Sequence, residues 1–198
     1  SGKSWGDANI EVFGTDTMNY WAEHAAKFLA DETVRPVGPA NVAKKLTVVY
    51  EPYPLVGVIT PWNNPLVVPL ADISPALMAG CAVLSKPSEF TPLAWRAAVA
   101  GWKEIGAPDV LDVVFGAGET GAAVVDVVDY LMFTGSAKAG RRVAAAAAQR
   151  LIPCCMELGG KDAMIVCADA DVDRAVDGAV WAGFCNAGQS CISVERIY

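Results

Sequence analysis

Gly116-Ala117-Gly118-Glu119-Thr120-Gly121 fits G-x-G-x-x-G between a strand-like and a helix-like segment, where glycines let a backbone approach a pyrophosphate. The acidic residue that should hold a ribose about 20 positions later is missing. The next strand ends instead in Phe133-Thr134-Gly135-Ser136. A phosphate cradle and a plain tight turn both stay open for Gly118 and its neighbours. Gly135-Ser136 can open a helix, with Ser136 either a simple N-cap or one side of an anion site built on exposed backbone N–H groups. Lys86 and Glu89 follow another strand end; they can meet an anion and two adjacent hydroxyls, or merely form a surface ion pair. Cys191, in Gly188-Gln189-Ser190-Cys191, is flanked by small polar residues, although most cysteines are inert buried groups. Glu157 precedes Gly159-Gly160, at a turn where an isolated glutamate is ordinarily solvated.

Composition narrows the chemistry. The 198 residues include one histidine, His24, so multi-histidine metal sites and H-E-x-x-H hydrolysis are excluded and no metal is expected. Any thiol or hydroxyl nucleophile must then work without a histidine base. The six cysteines form neither C-x-x-C pairs nor a dense disulfide framework, and no basic-then-apolar leader follows Ser1, so a reducing, cytoplasmic setting is expected. With 54% hydrophobic and 19% charged residues the chain can bury a real core. Fifteen Lys+Arg against twenty-two Asp+Glu, a formal charge of -7, offer no basic face to nucleic acid. The longest uncharged stretch, 52–71, contains five prolines and is no membrane span.

The elements that must position these residues follow from periodicity. Met18, Trp21, Ala22, Ala25, Phe28 and Leu29 mark an amphipathic helix from Asp16 to Asp31, and Lys45 to Tyr50 is strand-like. Apolar strands are then expected at Leu55 to Thr60, Ala82 to Ser85, Leu111 to Phe115 and Tyr130 to Thr134. Helices alternate with them at Val67 to Ala79, Pro92 to Ile105, Thr120 to Val127 and Ala137 to Arg150. This alternation implies an α/β fold with a parallel sheet covered on both faces and ligands at the strands' carboxyl ends. Beyond Ile152 a new unit is expected, with strands at Pro153 to Met156 and Ala163 to Val166, a helix from Asp171 to Phe184, and a strand from Ile192 that is cut off at Tyr198.

Taken in order, Pro61-Trp62-Asn63, Lys86-Pro87-Ser88-Glu89, Phe133-Thr134-Gly135-Ser136, Glu157-Leu158-Gly159-Gly160-Lys161 and Gly188-Gln189-Ser190-Cys191 form a specific combination. Together with the 34-position step from Glu157 to Cys191, it closely resembles the NAD(P)-dependent aldehyde dehydrogenase superfamily from Gly2-Lys3 to Tyr198. The resemblance implies a Rossmann-like parallel sheet with flanking helices plus the first part of a second α/β catalytic domain. Residues 1–51 would be an N-terminal helix and strand remnant, 52–157 the nucleotide-binding domain and 158–198 the truncated start of the catalytic domain.

By the same resemblance Cys191 is the nucleophile, Asn63 and the Cys191 backbone N–H hold the oxyanion, and Glu157 activates the water that hydrolyses the thioester. Lys86 and Glu89 take the adenosine ribose, Ser136 with Gly135 the pyrophosphate, and Trp62 lines the path. Gly118 and its loop lie at the adenine end. NAD is the expected cofactor with NADP possible, because a carboxylate at Glu89 favours a free 2′-hydroxyl. The substrate is a small-molecule aldehyde and the parent a homo-oligomer. The family's Glu-x-Phe-Gly-Pro segment belongs beyond Tyr198, so residues 1–198 alone are expected to turn over little. Two other readings share the fold: a non-catalytic descendant, which intact Asn63, Glu157 and Cys191 oppose, and a coenzyme-A-acylating dehydrogenase, which Glu157 opposes.

Overall fold

In the computed structural model, which describes residues 2–198, two helices come first, α1 (Trp5–Val12) and α2 (Thr15–Phe28). An antiparallel ribbon of β1 (Glu32–Val34) and β2 (Leu46–Val48) follows. Ser4 caps α1 by accepting from the Asp7 N–H at 3.1 Å. α1 and β1 are additions to the elements expected above. The apolar residues of α1, Trp5, Ile10 and Val12, are exposed, whereas Glu11 is its buried residue, so no apolar stripe announces the helix.

From Leu55 strands and helices alternate: β3 (Leu55–Ile59), α3 (Val67–Met78), β4 (Ala82–Lys86), α4 (Pro92–Glu104), β5 (Leu111–Val113), α5 (Gly118–Val127), β6 (Tyr130–Gly135), α6 (Ala137–Gln149) and β7 (Cys154–Leu158). The five strands pair in parallel in the order β5-β4-β3-β6-β7. Because successive side chains alternate across a strand, the Val/Ile-rich runs feed two cores. Val56, Val58, Val83 and Leu111 meet Leu70, Ile73, Trp95 and Val99 on one face. Ile59, Leu131 and Phe133 meet Val124, Val125 and Val128 on the other. The buried indole of Trp95 donates to Ser85 Oγ at 2.8 Å, and Ser85 Oγ donates to the Asp112 carbonyl at 2.8 Å, so this core carries no orphaned N–H there.

One expectation is corrected. The strand after Ile152 opens no new unit: β7 is the edge of the parallel sheet, with Met132 opposite Cys155 and Thr134 opposite Glu157. Periodicity marks a strand but says nothing of its neighbour. Past β7 the chain forms β8 (Asp162–Met164), α7 (Val172–Phe184) and β9 (Val194–Ile197), with β8 and β9 paired in parallel. Asp171 caps α7 by accepting from the Arg174 N–H at 3.1 Å. No residue of α7 is buried. Among the described residues no helix is long and apolar enough to cross a membrane.

The start of α3 is fixed from a distance. The buried carboxylate of Glu11 pairs with Lys3 and accepts from the backbone N–H groups of Leu66 and Val67 at 2.8 and 3.2 Å. Lys3 also donates to Asn64 Oδ1 at 3.2 Å. A carboxylate at a helix N-terminus satisfies orphan donors and meets the positive end of the dipole. The 61–66 segment is thereby tied to α1 as well as to the sheet.

Candidate functional site

The strand order reverses between β3 and β6, and a cleft of about 800 Å³ opens at their carboxyl ends. Ligands of open α/β sheets bind at such a switch point. Trp62 and Asn63 follow β3 into its wall; Lys86 ends β4 and Glu89 follows it; Gly135 ends β6 and Ser136 follows it. Gly118 lines it from α5, and Cys191 closes it from the segment before β9.

Lys86, the last residue of β4, is only 4% exposed. Its Nζ donates to the Pro87 carbonyl at 3.1 Å and lies 3.7 Å from Glu89 Oε2, while Glu89 is exposed. The pair is therefore not the surface ion pair that a spacing of three allows: the ammonium sits in the cleft wall, where burial demands partners. Gly116 has φ 151°, and a Cβ there would fall 1.9 Å from Thr120 Oγ1, so the first glycine of the fingerprint is required by the turn itself. At Gly118 a Cβ would meet nothing within 4 Å. Ser136 caps α6 by accepting from the Ala139 N–H at 3.2 Å. The other early N–H groups of α6 have no intrahelical acceptor.

The nucleophile candidate and the amide candidate come together through a compact turn. Asn63 Nδ2 donates to the Gln189 carbonyl at 2.9 Å. Asn186, 4% exposed, donates from its Nδ2 to the Asn63 carbonyl at 3.1 Å and to the Gln189 carbonyl at 3.0 Å. Cys191, two residues beyond Gln189, is exposed on the cleft. Asn186 escaped the sequence reading, and nothing in its local sequence marks it.

Glu157 stands apart from the cleft lining. It is exposed on the edge strand β7, on the sheet face that α3 covers, while its neighbour Leu158 lines the cleft. The same segment approaches Cys191 three residues later: a Cβ on Gly160 would lie 3.8 Å from the Cys191 carbonyl. Glu157 has a partner the sequence reading missed. Asp72 on α3 takes up its proton at about 6 instead of 3.8, first because burial penalises its charge and second because Glu157 repels it. Its Oδ2 is buried with no hydrogen-bond partner among the described residues, and Cys155 and Tyr130 also feel its charge. A signal existed: Asp72 is the lone charged residue between Glu51 and Lys86.

A stability prediction follows from the sign of that shift. The folded chain holds the Asp72 proton between about pH 4 and 6, where the unfolded chain has released it. Stability therefore falls as pH rises through that window and stays lower above it. For Asp72→Asn, denaturant unfolding should show the advantage over the unmutated chain growing by roughly 1–3 kcal/mol between pH 4 and pH 7. An advantage independent of pH would contradict a raised Asp72 pKa in the folded chain.

A family model described as the aldehyde dehydrogenase family matches residues 1–198. The chain is 46% identical to a Mycolicibacterium smegmatis protein named "Putative succinate-semialdehyde dehydrogenase" with NADP(+), covering 100% of this chain and 38% of that protein. It is 40% identical to a 4,4'-diapolycopene aldehyde oxidase of Methylomonas, covering 92% of this chain and 35% of the relative. Among solved structures, an aldehyde dehydrogenase of Mycobacterium tuberculosis complexed with NAD+ superposes with a TM-score of 0.85 at 39% identity, covering 98% of this chain and 38% of that one. A succinate-semialdehyde dehydrogenase of Burkholderia pseudomallei gives a TM-score of 0.90 at 35% identity, covering 98% and 41%. The 198 residues thus span well under half the length of these relatives.

Proposed function

Because the chain belongs to the aldehyde dehydrogenase family, we propose that it carries the cofactor cleft and nucleophile of an NAD(P)-dependent oxidation of an aldehyde to a carboxylic acid. The observation that carries this reading is the meeting of Asn63 and Cys191 at one end of a switch-point cleft whose wall holds the buried Lys86.

Cys191, as thiolate, adds to the aldehyde carbon through a sulfur electron pair, and the carbonyl π pair moves to oxygen. One N–H of the Asn63 amide holds the Gln189 carbonyl, which leaves the second to meet the oxyanion beside the Cys191 backbone N–H. When bound, the nicotinamide dinucleotide supplies the acceptor for the hydride that leaves the thiohemiacetal carbon. A thioester then remains on Cys191. Glu157 takes a proton from water, the water oxygen adds to the thioester carbon, and Cys191 departs as thiolate.

The chain's own residues suit the dinucleotide. Lys86 and Glu89 present a donor and an acceptor side by side at 3.7 Å, the complement of a ribose diol. The capped start of α6 at Ser136 suits a pyrophosphate, and Gly118 leaves open space at the opposite wall. Glu89 favours NAD. NADP stays a cofactor of the reading because the Mycolicibacterium relative's name carries NADP(+). The six free cysteines suit a reducing, cytoplasmic setting. Residues 52–157 are read as the nucleotide-binding unit, flanked by an N-terminal remnant (1–51) and the opening of a catalytic unit (158–198). Turnover belongs to the protein encoded by the complete reading frame.

The test is reduction of NAD+ or NADP+ by that complete protein with a panel of aldehydes, in the unmutated form and as Asn63→Ala. The expected loss in kcat for the variant is about 100- to 1,000-fold, with cofactor affinity unchanged. Failure of the unmutated protein to reduce either cofactor with any aldehyde would end the reading.

A further inference from the structure

The turn before Cys191 is built against local preference. Asn186, Ala187 and Gly188 are consecutive left-handed residues, at φ 54°, 59° and 72°. Only the last is glycine. Asparagine tolerates this region better than most residues, and alanine does so at a cost. Asn186 is buried, and its Oδ1 has no hydrogen-bond partner among the described residues. Strain and a desolvated acceptor therefore coincide at one residue. Such features persist where surrounding structure over-determines them, and they gather at functional sites.

What offsets them is a bridge. The single Nδ2 group of Asn186 donates both to the Asn63 carbonyl, at 3.1 Å, and to the Gln189 carbonyl, at 3.0 Å. Asn63 Nδ2 donates to the same Gln189 carbonyl at 2.9 Å. Two side-chain amides thus converge on the Gln189 oxygen and one of them also holds the Asn63 carbonyl, linking the segment after β3 to the nucleophile turn 123 positions away in the chain. One partner's main chain and side chain are both held: the Asn63 carbonyl by Asn186, and the Asn63 amide by Gln189.

We infer that Asn186 is the positioning residue that sets the Asn63 amide relative to Cys191. The inference rests on the reading of Asn63 as oxyanion donor and Cys191 as nucleophile. Asn186 itself touches no reacting atom. It fixes the turn in the left-handed form and holds both ends of the Asn63–Gln189 contact, so that the remaining N–H of Asn63 points from a rigid frame instead of a mobile loop. Placement of preorganised donors to within fractions of an ångström is what makes them effective.

Asn186→Gly tests this, because glycine takes the left-handed conformation freely and only the bridging amide is lost. The complete protein would be compared as unmutated, Asn186→Gly, Asn63→Ala and the double variant. Two rates are read: aldehyde-dependent reduction of NAD(P)+, and alkylation of Cys191 by iodoacetamide, quantified by peptide mass spectrometry. Alkylation needs an accessible thiolate but develops no oxyanion. The expected result is a kcat about 10- to 100-fold lower for Asn186→Gly, unchanged Cys191 alkylation, and a double variant no slower than Asn63→Ala alone. The inference is overturned if Asn186→Gly leaves kcat intact, if alkylation falls in parallel with turnover, or if the two substitutions multiply. If Asn63→Ala itself leaves turnover intact, the oxyanion reading fails first and takes this inference with it.

Discussion

Replacing Cys191 by alanine is expected to remove aldehyde oxidation by the complete protein while leaving dinucleotide binding in place. Loss of the covalent nucleophile in an acyl-transfer enzyme costs on the order of 10⁶ in kcat, because the stepwise route closes. Among the cysteines that could substitute, Cys81 is buried, with burial raising its thiol pKa, and Cys155 is half-buried, its thiol pKa raised first by burial and then by the charges of Glu157 and Asp72. Cys185 is raised too, first by burial and then by its hydrogen bond to Asp7. Cys191 is exposed on the cleft, and its loss removes no packing. Equilibrium binding of NAD+ to the alanine variant should match the unmutated protein, since Lys86, Glu89 and Ser136 lie on other elements. Residual turnover above about a thousandth of normal would reassign the nucleophile.

The parallel sheet was legible because its central strands are largely buried and so appear as short apolar runs, two of them followed by a helix with a clear start, proline-led α4 and Ser136-capped α6. The position of β7 was not legible: pairing of Thr134 with Glu157 is a contact between separate strands, and periodicity is blind to it. α1 was hidden for the opposite reason, since its one buried side chain is the charged Glu11. For the site, the order of motifs brought out the residues at strand ends, because those positions face the cleft by topology alone. It could not give depth, which is why Lys86 and Glu89 resembled a surface pair. Asn186 was out of reach because its importance lies in a backbone angle and in a carbonyl far away in sequence. Asp72 was within reach, as a lone charge in an apolar stretch, but its partner Glu157 is found only once α3 is laid on the sheet face beside β7.

Glu157→Gln should separate the two halves of the reaction. Asn63, Cys191 and the cofactor cleft are untouched, so thiolate addition and hydride departure should proceed once per site. Glutamine accepts no proton, so attack of water on the thioester should slow by about 100- to 10,000-fold. Rapid mixing should then give a burst of one equivalent of reduced cofactor per Cys191, followed by a slow phase. Mass spectrometry of the quenched protein should find the acyl group on the peptide containing Cys191. Hydroxylamine, a nucleophile that needs no base, should restore multiple turnovers by taking the acyl group. The geometry makes this a demanding test, because Glu157 lies on the α3 side of β7, outside the cleft lining, and would have to swing past Gly159 and Gly160 to act at Cys191. Its exposure leaves the side chain free to move that way. Steady turnover without a burst in Glu157→Gln would remove Glu157 from the hydrolytic step. Asp72, a half-buried carboxylate on α3 that takes up its proton at about 6, would then be the next candidate base.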